Sequence, residues 1–115
     1  MPKTLVNIGL DAKGKLLLPR HALAALAVIS GQAATAATVH NIDSEPTLIA
    51  ELRHPLSTAA AYEVARFLQQ DAIAVWDGHD GHLIGPNSLE WGPFDPSQFL
   101  TLDGGRLAPP LANAA

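Results

Sequence analysis

No cysteine occurs in the 115 residues, which removes disulfides, thiolate nucleophiles, thiolate zinc sites and iron–sulfur clusters together. Any metal would have to rest on histidine, aspartate and glutamate. Aromatic residues make up only 5% of the chain, so the core must be built from aliphatic side chains and each aromatic ring carries more weight. The opening stretch MPKTLVNIGLDAKGK lacks the apolar run of roughly 7 to 15 residues that a signal peptide needs, and nowhere do about 18 apolar residues run together. The expectation is a soluble, cytoplasmic protein with no membrane partner. Lysine and arginine are missing from Phe67 to Gly105, where Asp71, Asp77, Asp80, Glu90, Asp95 and Asp103 stand, and the net charge is −4. That balance argues against nucleic-acid binding, which needs clustered cations to displace counterions. Gly14-Lys15 is followed by Leu16, so no phosphate loop is present; GxGxxG and GxSxG are also missing, and no cofactor is expected.

The composition, 48% hydrophobic and 16% charged, is that of one globular domain. Thr4 to Leu10 reads as a first strand ended by the turn signal Asp11 to Lys15. Pro19 suits a first helical position, and Leu23, Leu26, Ala27 and Ser30 follow at helical spacing up to Gly31, predicting a helix over 19–30. Ala34 to Ile42 and Thr47 to Arg53 make an antiparallel hairpin across a polar turn. In its second arm Leu48, Ala50 and Leu52 face one way, and Thr47, Ile49, Glu51 and Arg53 the other. Ser57 is a good N-cap with Leu56 before it, and Ala61, Val64, Ala65 and Leu68 give the apolar stripe of a second helix over about 58–70. Ala72 to Trp76 is the next strand, with His82 to Gly85 returning beside it.

Strand, helix, strand, strand, helix, strand is the order of a ferredoxin-like βαββαβ sandwich: an α+β fold with helices on one face of a four-stranded antiparallel sheet. The core is expected over 1–85, with 86–115 an irregular C-terminal wrapping extension of the same domain. Pro96 to Leu100, after Asp95, suits a single helical turn, with Trp91, Phe94 and Phe99 as anchors. A sheet face left uncovered, carrying Ile49 and Val75, predicts self-association.

The tandem Asp77-Gly78-His79, Asp80-Gly81-His82 admits two readings. His79 and His82 with an aspartate could hold a divalent metal. A hairpin connection using the freedom of Asp-Gly is favoured, because a glycine-rich turn lacks the rigid face on which strong histidine motifs place their ligands. No metal site is therefore assigned. Glu51, mid-strand beside Arg53 and near His40 if the hairpin pairs as read, is a candidate catalytic acid/base; its plainer role is a cross-strand polar pair. Tyr62, on the flank of the second helix, is a candidate catalytic hydroxyl or simple half-buried packing.

The phrases NIGLDAKG, SEPTLIAEL, QDAIAV and GPNSLEWGPFDPSQFL resemble those of small proteins carried by phages and plasmids of proteobacteria, a resemblance that implies a setting but no activity. Tyr62 to Trp76, YEVARFLQQDAIAVW, resembles the corresponding helix and strand of the bacteriophage S-adenosylmethionine lyases. Those enzymes are ferredoxin-like trimers that bind substrate between subunits. The resemblance implies a trimer with an interface pocket near Glu51, Tyr62, Gln70 and Asp71, with His40, Gln70 and Asp71 as ligand-binding residues. The lyases' pocket tyrosine and glutamate have no clear counterpart, since the second strand offers Val39-His40-Asn41-Ile42 in their place. Three functions are thus expected in order. The first is a homo-oligomeric binding protein, trimer or dimer, that sequesters a small ligand or inhibits a host defence protein. The others are a lyase of the S-adenosylmethionine type and a metal-dependent activity at His79 and His82.

Overall fold

The computed structural model describes residues 3–12, 15–42, 45–87 and 96–107. Among them the chain forms β1 (Thr4–Gly9), β2 (Asp11–Ala12), β3 (Lys15–Leu16), α1 (Pro19–Ser30), β4 (Ala36–Ile42), β5 (Glu45–Leu52), α2 (Thr58–Phe67), β6 (Ile73–Trp76), β7 (Gly81–Ile84) and a 3-10 turn at Pro96–Gln98. Five strands make one antiparallel sheet in the order β4-β5-β1-β6-β7, while β2 and β3 pair apart from it. This is an α+β architecture compatible with a ferredoxin-like fold. The sheet has five strands where four were expected, because β7 pairs along the whole of β6. Within the stretch expected to be a turn, Asp11 pairs with Leu16 and Ala12 with Lys15 as the small β2–β3 ribbon.

Alternation along the strands sorts their side chains. Val6, Ile8, Leu48, Ala50, Leu52, Ile73, Val75 and Ile84 point to one face, where they pack with Ala22, Leu26, Ala61, Val64 and Ala65 of the helices. The register puts Val6 between Ala50 and Val75, so apolar side chains meet apolar side chains across three strands. Ser57 caps α2 as its position predicts, accepting a 3.1 Å hydrogen bond from the Ala60 N–H. In α1 the buried residues are Ala22, Ala25 and Leu26. The helix is rotated from the face that the Leu23-Leu26-Ala27 spacing suggests, and Val28 is left 81% exposed.

The second helix stops at Phe67, short of the expected residue 70. The Gln69 N–H bonds to the Arg66 carbonyl and the Gln70 N–H to the Ala65 carbonyl at 2.8 Å, the paired bonds of a Schellman ending. Its left-handed position is filled by Gln69 at φ +58°. Glycine or asparagine is the usual signal there, so periodicity alone carried the helix too far.

The opposite sheet face presents Leu5, Asn7, Thr38, His40, Thr47, Ile49, Glu51, Ala74 and Trp76 in register. It is not free. The Asn7 side chain accepts from the Leu100 N–H at 2.8 Å and donates to the Leu100 carbonyl at 3.3 Å, clamping the C-terminal segment to the centre of the sheet. Phe99 is fully buried, its ring 6.0 Å from that of Trp76 and tilted by 54°. At the β4 end the His40 ring meets the Leu102 carbonyl at 3.1 Å. Gly104, at φ +87°, lies so close that a Cβ there would come within 2.7 Å of the imidazole. Thr101 and Asp103 close this turn, with the Gly105 N–H donating to Asp103 at 3.0 Å.

Ile49 is accordingly fully buried within one chain, and Val75 belongs to the helix face. The uncovered sheet face that predicted self-association is corrected by these contacts. Of the expected anchors, Phe99 acts as one, and the helical turn after residue 95 is the 3-10 turn; Trp91, Phe94 and Asp95 lie outside the described residues.

Candidate functional site

The residues singled out from the sequence do not meet at one place. Glu51 pairs across the hairpin with Ala36, whereas His40 pairs with Thr47. They share a face but stand four residues apart along the strand, about 13 Å at strand rise. Glu51 accepts from Lys3 Nζ at 3.1 Å and from Thr35 Oγ1 at 3.0 Å. The Lys3 hydrogen bond, opposed by partial burial and aided by Thr35, holds its carboxyl below the ordinary glutamate range. That tuning runs opposite to the upward shift that makes a carboxylate a good base near neutral pH. Tyr62 lies on α2, partly buried against the core on the helix side of the sheet. The sheet stands between it and Glu51.

The Lys3–Glu51 pair makes a pH prediction. A carboxyl whose folded pKa is depressed stabilises the fold above its unfolded value and loses that contribution as pH falls through the folded one. Lys3 is 58% exposed, so solvent screening limits the effect to about 0.5 to 1 kcal/mol. Glu51→Gln is expected to lower stability by that amount near pH 7, and the difference should shrink once pH drops under about 4.3, the unfolded glutamate value, vanishing only below the depressed folded value. Urea denaturation at both pH values reads the difference; a pH-independent loss would mean that packing, not the ion pair, matters at this position.

The Asp-Gly-His tandem is the β6–β7 connection. Asp77 Oδ1 accepts 2.8 Å hydrogen bonds from the His79 and Asp80 N–H groups, and Gly78 has φ +99°. Burial raises the Asp77 carboxyl, but the backbone donors of Asp80 and His79, with the nearby His82 and His79, outweigh it and hold it below the usual aspartate range. Among the described residues no group of three or more histidines, aspartates or glutamates could hold a metal ion.

Asp71 anchors another loop, accepting from Asn87 Nδ2 at 2.8 Å. Gln70, only 7% exposed, follows the end of α2 and is the one predicted site residue that lines the groove described next.

That groove, about 710 Å³ and open to solvent, runs between α1, the end of α2 and the β2–β3 ribbon. Leu16, Leu17, Ala24, Ala25, Val28, Ile29, Phe67 and Leu68 make its apolar walls, and Lys15, His21, Gln69 and Gln70 supply its polar groups. Leu16, Phe67 and Val28 are 72%, 70% and 81% exposed. A mostly apolar concavity of this size with a few polar groups is the usual form of a small-ligand site. Gln69 adds a second sign, because a side chain in the left-handed region costs of order 1 kcal/mol relative to glycine. Sequence periodicity passed over this site because Val28 and Phe67 sit at the edges of their helices' apolar stripes. The available signal was an apolar face wider than the sheet requires.

Comparison with protein-family models, with curated proteins and with solved structures finds no match for this chain. Among the described residues no helix is long and apolar enough to cross a membrane. The class defined by fold and site is a small α+β domain with an apolar groove on its helical face.

Proposed function

We propose that this protein is a small binding protein of ferredoxin-like βαββαβ topology, extended by β7, whose function is to hold a small ligand in the groove between α1 and α2. The observation that carries the reading is the groove itself: exposed Leu16, Val28 and Phe67 stand around one concavity. Scattered apolar residues need no explanation, but a contiguous apolar concavity marks an interaction site. The strand order supports the topology. Each helix joins two parallel strands separated by one antiparallel strand, α1 across β5 reversed and α2 across β1.

Homo-oligomerisation, as a dimer or trimer, is part of the proposal, and the apolar surface that supports it is the groove rim and not the sheet. The phage or plasmid setting, with sequestration as the role, is proposed from the resemblance of the quoted phrases. A lyase reading would bring Glu51 and Tyr62 together across a subunit interface, and nothing in the geometry of one chain favours it.

The test is native mass spectrometry of the protein purified gently from its expression host, beside Val28→Glu. Val28 is on the surface, so its replacement leaves the core intact while placing a charge at the groove. Extra mass on the parent, lost in the variant, is the expected result. A bare monomer in both would overturn the reading, and a bare oligomer dissociated by Val28→Glu would reassign the groove to self-association.

A further inference from the structure

The polar residues of the groove gather at one end, beside Leu16, Leu17, Phe67 and Leu68, and the other end is lined by apolar residues alone. β1 and β5 are antiparallel, α1 runs between the parallel strands β1 and β4, and α2 between the parallel strands β5 and β6. A helix joining parallel strands runs back against them, so α1 and α2 are antiparallel to one another. The start of α1 therefore lies beside the end of α2. His21 in the first turn of α1, Gln69 and Gln70 after α2, and Lys15 of the ribbon fall toward this end of the groove. Val28 and Ile29 lie toward the other end, eight residues of helix from His21, or about 12 Å at ~1.5 Å per residue.

The polar end has one sign. No aspartate or glutamate lines the groove. Lys15 and His21 make no side-chain hydrogen bond or ion pair among the described residues. The first turn of α1 holds no acidic residue, and its N-cap Leu18 makes no side-chain capping bond. The partial positive charge of that helix end adds to the lysine. In a chain with more acidic than basic residues, a groove without a carboxylate and with an unpaired ammonium is complementary to an anion.

Resting on the groove as the ligand site, we infer that its ligand is a small amphipathic anion: an unbranched apolar chain laid along Ala25, Val28 and Ile29, with a carboxylate-type head at Lys15 and His21. Lys15 contributes charge, His21 an N–H donor, and the Gln69 and Gln70 amides hydrogen bonds to the second head oxygen. The apolar walls supply affinity and the head fixes direction, the division of labour usual in such sites.

Calorimetry with three probes of one chain length, decanoate, decanol and decyltrimethylammonium, tests the inference on the full chain and on Lys15→Gln/His21→Gln. Both positions are exposed, so the variant keeps the core. Decanoate is expected to bind the parent at least about tenfold more tightly than decanol, with the ammonium weakest. In the variant decanoate should fall to the level of decanol, while decanol is unchanged. Decanol and decanoate binding the parent equally, or a variant that leaves the preference intact, would overturn the anionic head and leave the apolar groove standing. No binding by any of the three would overturn the groove as a ligand site.

Discussion

Phe99→Ala is expected to cost about 3 to 5 kcal/mol, the range for deleting a buried aromatic side chain. Phe99 is fully buried although it follows the last regular strand by fifteen residues, and it packs beside Trp76 over a sheet face that includes the fully buried Ile49. A domain of this size is stable by only about 5 to 15 kcal/mol, so the loss is a large share of the total. The same variant should self-associate, because loosening the segment that Asn7 holds through Leu100 bares Leu5 and Ile49. Urea denaturation with light scattering reads both effects. A cost below about 1 kcal/mol, with unchanged mass, would show that the C-terminal segment is not what closes that face.

Gly85→Ala should be almost as damaging, for an unrelated reason. Gly85 is buried where the chain leaves β7, and a Cβ there would lie 2.3 Å from the Asp71 carbonyl oxygen and 2.5 Å from the Ala72 Cα. Both obstacles are backbone, so no side-chain rotation relieves them. The chain must part where Asn87 reaches back to Asp71 through its N–H at 3.2 Å and its side-chain amide. Overpacking of this kind costs about 1 to 3 kcal/mol, and hydrogen exchange should localise the loss to β6 and β7. Uniform loss of protection, or none, would contradict the local clash.

Local pattern made much of this fold legible. Pro19 and Ser57 place the helix starts, and the alternation of Leu48, Ala50 and Leu52 against Ile49 and Glu51 assigns the two faces of β5 correctly, because proline geometry, capping and strand pleat act over a few residues. Where a signal was atypical it misled. Gln69 ends α2 from a position where glycine is usual, and the buried face of α1, Ala22, Ala25 and Leu26, is turned from the expected stripe by about one residue, roughly 100°.

The site was less legible than the fold. Glu51 and His40 drew attention as polar residues on a strand, but Lys3 and Thr35 occupy the first, and the second holds the turn around Gly104. The groove residues carry no motif: Lys15, His21, Val28, Phe67 and Gln70 come from three separate stretches and acquire a common meaning only where α1 lies against the end of α2. By itself the sequence determined the α+β class, the order of the main elements and the apolar face of each strand, because these follow from periodicities of two and of about 3.6 residues. The tertiary structure alone decided that residues 96–107 close the second face and that the apolar opening lies among the helices. Both depend on contacts between distant segments, such as Asn7 with Leu100, whose geometry no local pattern encodes.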